Sequence, residues 1–124
     1  MKDPTAYLVL TGNEILTGKV QDENGKLVIK KAPELGLRLI GITILPDEVD
    51  RIAFTIKRAK QDLKPTFIFV SGGIGPSHDD VTMEGIAKGL DLPLVQNNDL
   101  AENLKQLYSD RFNDSVLKLS LIHI

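Results

Sequence analysis

Residues 67–90 read FIFVSGGIGPSHDDVTMEGIAKGL and decide the fold of this chain. Phe67–Val70 is a short, fully apolar run, which predicts a buried strand. Thr82–Leu90 carries apolar residues at helical spacing, which predicts a helix directly after the loop. A strand that enters a helix through a glycine-rich loop is typical of α/β proteins with parallel sheets. The inward-facing positions of the helix are Met83, Ile86, Ala87 and Leu90.

The rest of the chain alternates in the same way, so we expect βαβ units with helices on both faces of the sheet. Pro33 lies inside a helical pattern and predicts a kink or an early end, because an interior proline costs about 3 kcal/mol. The predicted fold class is therefore α/β, a three-layer αβα arrangement with a mainly parallel sheet. Further strands are predicted at Tyr7–Leu10, Leu39–Leu45, Leu92–Val95 and Val116–Ile124, and further helices at Asn24–Leu35, Asp47–Leu63 and Asp99–Phe112.

Composition limits the class of protein. The 124 residues predict one domain, and 42% hydrophobic with 26% charged residues is the profile of a globular protein. A net charge of -2 argues against a nucleic-acid partner. The absence of cysteine excludes disulfides and thiol catalysis. No apolar run reaches the roughly 20 residues of a membrane span, and the first residues lack a secretion signal, so we expect a cytoplasmic protein.

The loop after Phe67–Val70 has the composition of an anion site. Gly72, Gly73 and Gly75 let backbone N–H groups converge on a bound phosphate, and the following helix adds its N-terminal partial charge. Glycines alone would equally suit a tight turn without a ligand. The loop therefore predicts a phosphorylated small-molecule ligand only together with the residues that follow it.

Two carboxylates, Asp79 and Asp80, stand beside these glycines. They would repel an anion unless a cation bridges them, and Mg²⁺ held by one or two carboxylates and by phosphate oxygens is the usual solution. The alternative is helix capping by Asp79, Asp80 or Thr82. We expect one of the three to cap, while their joint presence favours a magnesium–phosphate site.

Two other strand ends carry polar residues. Asp47 follows a predicted strand and opens a helix, so capping is its favoured single role, although a parallel sheet would bring it near the glycine loop. Thr11–Glu14 offers hydroxyl, amide and carboxylate groups suited to a ring or ribose. The stretch Gly12–Lys19 is not a Walker A motif, because five residues separate its glycines and Val20 replaces the required Ser or Thr.

His78 stands where a dinucleotide fingerprint would have its third glycine, so that motif is rejected too. His123 is the only other histidine, which rules out a multi-histidine metal site. We expect His78 to contact a ligand phosphate.

Two segments together resemble a known family. SGGIGPSHDDVT at Ser71–Thr82 and GNEILTGKVQDEN at Gly12–Asn24 are similar to the signatures of the molybdopterin-binding domain superfamily. Its members include the molybdenum-cofactor proteins MogA and MoaB, the N-terminal domain of CinA, and the first domain of some FAD synthases. The resemblance covers about residues 5–112, and the form of both segments is closest to the CinA-like and FAD-synthase branch.

The resemblance implies an αβα domain that commonly assembles as a homo-oligomer, a dimer or a trimer, with a pocket for molybdopterin or a nucleotide. It implies roles in metal binding and catalysis for Asp47 and Asp80, while the residue chemistry given above predicts Asp79 and Asp80 as the Mg²⁺ ligands. The implied ligand- and phosphate-binding residues are Gly12, Asn13, Glu14, Ser71, Gly72, Gly73, Gly75, Pro76, Ser77, His78 and Thr82.

For function, the resemblance implies metal-dependent hydrolysis of a pyrophosphate such as that of ADP-ribose or FAD. The alternatives are molybdenum-cofactor biosynthesis, through molybdopterin adenylyl transfer or molybdate insertion, and a catalytically silent binding domain of a larger protein. A purely structural oligomerisation module is disfavoured by the paired aspartates. Family domains continue for several tens of residues beyond the position of Ile124, so we expect residues 1–124 to form one domain lacking the family's C-terminal segment.

Overall fold

The computed structural model describes residues 3–123, and a three-stranded parallel sheet lies at the centre of the fold. Strand β1 (Thr5–Thr11) lies between β2 (Arg38–Leu45) and β3 (Phe67–Ser71). Consecutive residues of β1 are buried, as expected for a central strand that is covered on both faces. Thr11 pairs with Leu45 and Leu10 with Ser71, so the three strands end at the same edge. The predicted parallel sheet is confirmed.

Helices lie on both faces of this sheet. On one face, α3 (Val49–Arg58) and α4 (Thr82–Leu90) bury Ile52, Ile56 and Ile86 against Val9 of β1. A π-helical turn, Ala59–Leu63, extends α3. On the other face, α2 (Glu23–Glu34) places Gly25 against Leu10. The three-layer αβα arrangement is therefore confirmed, with a short helix α1 (Asn13–Leu16) following β1.

All four predicted helices are present, and one of them has the predicted bounds at both ends. α4 has the predicted bounds. α2 continues through Pro33 to Glu34, so the proline does not end the helix; Gly36, with a φ of 75°, follows the C-cap residue Leu35. The start predicted for the next helix at Asp99 was wrong, since α5 (Asn98–Tyr108) is capped by Asn97, whose side chain accepts the Leu100 N–H at 3.0 Å.

Beyond α4 lies a small antiparallel pair of strands, β4 (Leu94–Gln96) and β5 (Leu121–His123). The strand predicted over Val116–Ile124 was wrong in its first half. Helix α6 (Asp114–Leu117) runs into a 3₁₀ turn, Lys118–Ser120, because the Asn113 side chain caps α6 by accepting the Val116 N–H at 3.0 Å. Ile124 and the side chain of His123 lie outside the described residues. The connection after α5 is a 3₁₀ turn, Ser109–Arg111.

The α2 face of the sheet is only partly covered. Phe67 and Phe69 of β3 are 47% and 40% exposed, and their rings stack with centroids 5.9 Å apart. Leu27 of α2 and the C-cap residue Leu35 are exposed, because the helix contacts the sheet through the small residues Gly25 and Ala32. Within residues 3–123, none of the helices has the length and apolar character needed to cross a membrane.

Candidate functional site

Three chain segments meet at the edge where the parallel strands end: 12–14 after β1, 46–48 after β2 and 71–82 after β3. Gly73 marks the meeting point. A Cβ atom built there would lie 3.0 Å from Thr11 Oγ1 and 3.4 Å from Asp47 Oδ1. The fold therefore brings the predicted glycine loop to Asp47 and to the end of β1.

The bottom of this site, which we call the floor, consists of Thr11, Gly72, Gly73 and Thr82. The hydroxyls of Thr11 and Thr82 share a hydrogen bond of 2.9 Å, and both residues are at most 1% exposed. The Thr82 N–H donates to the Gly73 carbonyl at 3.1 Å. The Thr82 side chain therefore supports the loop from beneath, although the sequence had placed it among the ligand contacts.

Glycine is required at both floor positions of the loop. Gly72 has a φ of 96°, and a Cβ there would lie 2.1 Å from the carbonyl oxygen of Thr11. Gly73 has a φ of 60°, and its Cβ would lie 2.3 Å from the Thr82 hydroxyl oxygen. Within residues 3–123, the N–H groups of residues 73–75 have no hydrogen-bond acceptor. They are available to an anion, as in the backbone cradles of phosphate sites.

Asp47 does not cap α3, contrary to its favoured role from sequence. The N-cap position belongs to Glu48, which forms no side-chain cap bond. Asp47 instead forms a reciprocal pair with Asn13: Asp47 Oδ2 accepts the Asn13 N–H at 3.2 Å, and Asn13 Oδ1 accepts the Asp47 N–H at 3.1 Å. This pair ties the ends of β1 and β2 together and directs the carboxylate toward the glycine loop.

Asp80 closes a turn within the loop. Its Oδ2 accepts the Ser77 N–H at 2.9 Å, and its own N–H donates to the Ser77 carbonyl at 3.0 Å. The expectation that Asp79, Asp80 or Thr82 caps α4 was wrong, because Val81 holds the N-cap position without a side-chain bond. Oδ2 of Asp80 is therefore used within the turn, and Oδ1 accepts no hydrogen bond within the described residues.

The outer part of the site is charged, and we call Asp47, His78, Asp79 and Asp80 the rim. The His78 and Asp79 side chains are 92% and 72% exposed, with His78 Nε2 3.2 Å from Asp79 Oδ1. Pro76 is likewise exposed beside them. These residues lie at the mouth of the site, within reach of solvent.

A polar cavity of about 350 Å³ lies between the floor and the rim. Its charged lining residues are Glu14, Lys19, Asp47, Asp79 and Asp80. Four carboxylates against one lysine would repel a phosphate, and a divalent cation would offset that repulsion. Residues 3–123 contain no group of three or more acidic or histidine side chains that could hold a metal by themselves. The donor set suits Mg²⁺, which takes one or two carboxylates and completes its shell with phosphate oxygens and water.

An apolar cavity of about 190 Å³ adjoins the polar one and shares Gly73 and Asp80 with it. Its apolar walls come from the loop, the first turn of α4, and the β4–β5 region: Ile74, Met83, Leu94, Leu119, Leu121 and Ile122. The site thus has a charged half and an apolar half.

A family model described as a probable molybdopterin-binding domain matches residues 7–116. The chain belongs to the molybdopterin-binding domain family. The resemblance drawn from Ser71–Thr82 and Gly12–Asn24 is therefore confirmed.

Two relatives match this molybdopterin-binding domain over most of its length. A protein of Metallosphaera sedula is 38% identical over 121 residues, which are 95% of this chain and 45% of that protein. A CinA-like protein of Amoebophilus asiaticus is 38% identical over 88 residues, 71% of this chain and 21% of its own length. The chain thus spans less than half the length of either relative.

Among solved structures, the protein CinA from Thermoplasma acidophilum superimposes with a TM-score of 0.88 at 27% identity, covering 96% of this chain and 70% of CinA. The molybdopterin biosynthesis enzyme MoaB from Thermus thermophilus gives a TM-score of 0.62 at 19% identity, over 96% of this chain and 78% of MoaB. The second likeness concerns the fold alone.

Two residues of this molybdopterin-binding domain contact the loop without having been predicted to do so. Asn24 Nδ2 donates to Ser71 Oγ at 2.6 Å. It ends the GNEILTGKVQDEN segment, which is the signal that could have identified it. Lys118 Nζ donates to the carbonyls of Ser77 and Asp80, at 2.7 and 2.5 Å. Lys118 lies in the region predicted as a strand, and nothing in its local sequence points to the loop.

Proposed function

We propose that this CinA-like, molybdopterin-binding domain binds the phosphates of a pterin or nucleotide together with Mg²⁺ and hydrolyses a pyrophosphate of the ADP-ribose or FAD type. The observation that carries the proposal is the set of four carboxylates that line one cavity together with Gly73 of the glycine loop. Each half of the site supports one part of this ligand.

The charged half supports the phosphates and the metal. Asp47 and Asp80 each use Oδ2 to accept a backbone N–H, which orients the carboxylate and leaves Oδ1 without a hydrogen-bond donor among the described residues. Those oxygens are suited to Mg²⁺ or to a water molecule. The N–H group of Gly73, which lines this cavity, would donate to a phosphate oxygen.

The apolar half supports a ring system. Pockets for whole drug-sized ligands measure roughly 300–1,000 Å³. The apolar cavity, at about 190 Å³, is smaller and therefore suits one fused ring of a nucleotide or pterin. Because this cavity shares Gly73 and Asp80 with the polar one, a single ligand can occupy both.

The chemistry follows from these positions. A water oxygen attacks one phosphorus atom, the bridging P–O bond breaks, and the second phosphate leaves with the bond's electron pair. Asp47 would hold the water and accept its proton, and Asp80 would be a carboxylate ligand for Mg²⁺. When bound, Mg²⁺ offsets the negative charge that develops on the phosphate oxygens.

Molybdopterin adenylyl transfer is the second candidate, because that reaction also proceeds at a pyrophosphate. MoaB of Thermus thermophilus is named as a molybdopterin biosynthesis enzyme, and it shares the fold. A silent binding domain of a larger protein is the third candidate, since the Metallosphaera relative is about twice as long as the matched region.

The test is mass spectrometry of products from ADP-ribose, from FAD, and from molybdopterin with ATP, each with Mg²⁺ and with excess chelator. Isothermal titration on the same samples measures binding. Asp80→Asn removes a rim charge, and Asp62→Asn in the π-helical turn is the matched control far from the cavity.

We expect AMP from ADP-ribose or FAD, lost with chelator and in Asp80→Asn but kept in Asp62→Asn. Adenylylated molybdopterin as the only product would favour the second candidate. Binding without turnover contradicts the enzymatic part of the proposal. Neither binding nor turnover contradicts the site itself.

We also propose that the domain assembles with copies of itself, as a dimer or trimer, through the partly covered sheet face. The stacked, exposed rings of Phe67 and Phe69 support this, because contiguous exposed apolar surface marks interaction sites. Light scattering after size exclusion should show a lower mass for Phe69→Ser than for Phe54→Ser, whose ring is 67% exposed on α3. Equal masses for the two variants would contradict this interface.

A further inference from the structure

We infer that Lys118 is a positioning residue of the loop: its ammonium clamps the Ser77–Asp80 turn in the form that presents the Asp80 carboxylate to ligand. The inference rests on the proposed function for its effect on binding. The hydrogen bonds of Lys118 to the turn do not depend on the proposed function.

The clamp consists of two hydrogen bonds to the two ends of one turn. Lys118 Nζ donates to the Ser77 carbonyl at 2.7 Å and to the Asp80 carbonyl at 2.5 Å. An ammonium has three donors and no acceptor, and two of the three are used here. One bonds to the Ser77 carbonyl, which also accepts the Asp80 N–H, and the other bonds to the Asp80 carbonyl. Because the oxygens belong to the first and last residues of the turn, the ammonium fixes the distance between them.

This distance controls the Asp80 side chain. Asp80 Oδ2 accepts the Ser77 N–H at 2.9 Å only while the turn is closed. The same carboxylate packs on Gly75, where a Cβ would lie 2.7 Å from Oδ2. If the turn opened, the carboxylate would lose the N–H that orients it at the boundary between the two cavities.

Burial and hydrogen bonds of the neighbouring residues fix the backbone around Lys118. Val116 and Ser120 on either side of it are buried, at 6% and 0% exposure. Ser120 Oγ donates to the Leu117 carbonyl at 2.6 Å, and the Ser120 carbonyl accepts the Asn97 N–H at 2.7 Å. The lysine therefore projects from a fixed backbone, and a fixed backbone is what a clamp requires.

The charge of Lys118 adds to this role. Within residues 3–123 it forms no ion pair with a carboxylate, so its positive charge stays directed at the loop carbonyls. It borders the apolar cavity, next to a polar cavity with four carboxylates and one lysine. A second cation close to that cavity makes the binding of an anion more favourable.

The test compares Lys118→Met, which removes the ammonium but keeps the chain length, with Lys118→Arg, which restores a charged donor. Lys30→Met on the exposed side of α2 is the matched control for loss of one lysine. Two quantities are measured: hydrogen exchange of the Ser77 and Asp80 amides by NMR without ligand, and the Kd for ADP-ribose with Mg²⁺. Lys118→Gln replaces the methionine variant if thermal unfolding shows that the latter does not fold.

We expect Lys118→Met to lower protection of both amides by at least about tenfold and to weaken binding by about tenfold, with recovery to within about threefold in Lys118→Arg. Unchanged amide protection in Lys118→Met overturns the clamp. Lowered protection with an unchanged Kd overturns the positioning role, as does an arginine variant no better than methionine. If the unmodified chain does not bind ADP-ribose, the proposed function fails, while the exchange data still decide the clamp.

Discussion

The floor and the rim of the loop use their polar atoms in opposite ways. In the floor, the Thr11 and Thr82 hydroxyls bond to each other and are shielded from solvent. In the rim, Asp47 and Asp80 each accept a backbone N–H with one carboxylate oxygen. The other oxygen of each accepts no hydrogen bond among residues 3–123. The floor thus fixes the shape of the loop, and the rim offers carboxylate oxygens for the proposed ligand. Floor substitutions should lower stability and binding together, whereas rim substitutions should lower binding alone.

Gly72→Ala should have the largest effect and is the strictest test of the floor. Its Cβ would lie 2.1 Å from the Thr11 carbonyl oxygen at a φ of 96°, so both a clash and backbone strain arise. We expect a loss of about 3 kcal/mol in the free energy of unfolding, measured by denaturant titration, and no measurable ligand binding.

Gly18→Ala is the matched control, because Gly18 has a φ of 78° but no atom within 4 Å of a built Cβ. It should cost only the strain, about 1 kcal/mol. Equal losses for the two variants would show that the floor is not tightly packed.

Asp47→Asn tests the rim. The amide oxygen can still accept the Asn13 N–H, so the unfolding free energy should change by less than about 0.5 kcal/mol. Loss of the charge should weaken Mg²⁺-dependent ADP-ribose binding by at least about tenfold, as measured by titration calorimetry.

Glu48→Gln changes the neighbouring carboxylate, which pairs with Arg51 at 2.6 Å, and should leave binding unchanged. A marked loss of stability in Asp47→Asn would show that Asp47 has the structural role that we assign to the floor residues.

Thr82→Val is a second test of the floor, with a smaller expected loss of stability than Gly72→Ala. The Thr11 hydroxyl would lose its partner at 2.9 Å but could still donate to the Ser71 carbonyl, now at 3.4 Å. We expect about 1 kcal/mol of destabilisation by thermal unfolding. Binding should weaken about threefold, corresponding to a slight change in loop shape. Thr82→Ser keeps the hydroxyl and should retain both properties better than valine does; the reverse order would argue against the threonine pair.

His78→Ala should have the smallest effect. Its ring is 92% exposed, so the unfolding free energy should stay within about 0.5 kcal/mol of the original value. As an exposed contact to a ligand phosphate, it should contribute about threefold to affinity. A loss of tenfold or more would mean that ligand binding draws His78 into the site, and no change at all would remove it from the ligand contacts.

The local pattern of the sequence predicted much of the fold. The bounds of α4 and the order of β1, β2 and β3 follow from apolar periodicity and from Gly72–Gly75 as a strand-to-helix junction. These features depend on neighbours a few residues away, which a sequence displays directly.

The errors concern residues whose partners are distant. Asp47 was expected to cap α3 but pairs with Asn13, 34 residues earlier in the chain. Asp80 was expected among the residues that could cap α4, but its carboxylate accepts the Ser77 N–H in a turn that Lys118 contacts from 38 positions later. Capping preferences describe what a side chain does without a tertiary partner, and the parallel sheet supplied such a partner to Asp47.

The strand predicted across Val116–Ser120 failed for a related reason. Alternating apolar residues fit a strand, but they also fit two short helical turns when a capping residue precedes them. Asn113 supplied that cap, and burial of Val116 and Ser120 fixed the result. Helical elements this short are rarely predicted from one sequence, because typical helices are about three times as long.

The hydrogen bond between the Thr11 and Thr82 hydroxyls spans 71 positions of the chain. Closing a loop of that length carries an entropy penalty that is recovered only when β1 and β3 are already paired. We therefore expect the glycine loop to acquire its shape after the sheet has formed. A synthetic peptide of Ser71–Thr82 would contain every glycine and aspartate of the loop and still bind nothing. In turn, a ligand that recognises only the finished loop raises the melting temperature of the whole domain, which makes thermal shift a direct screen for its identity.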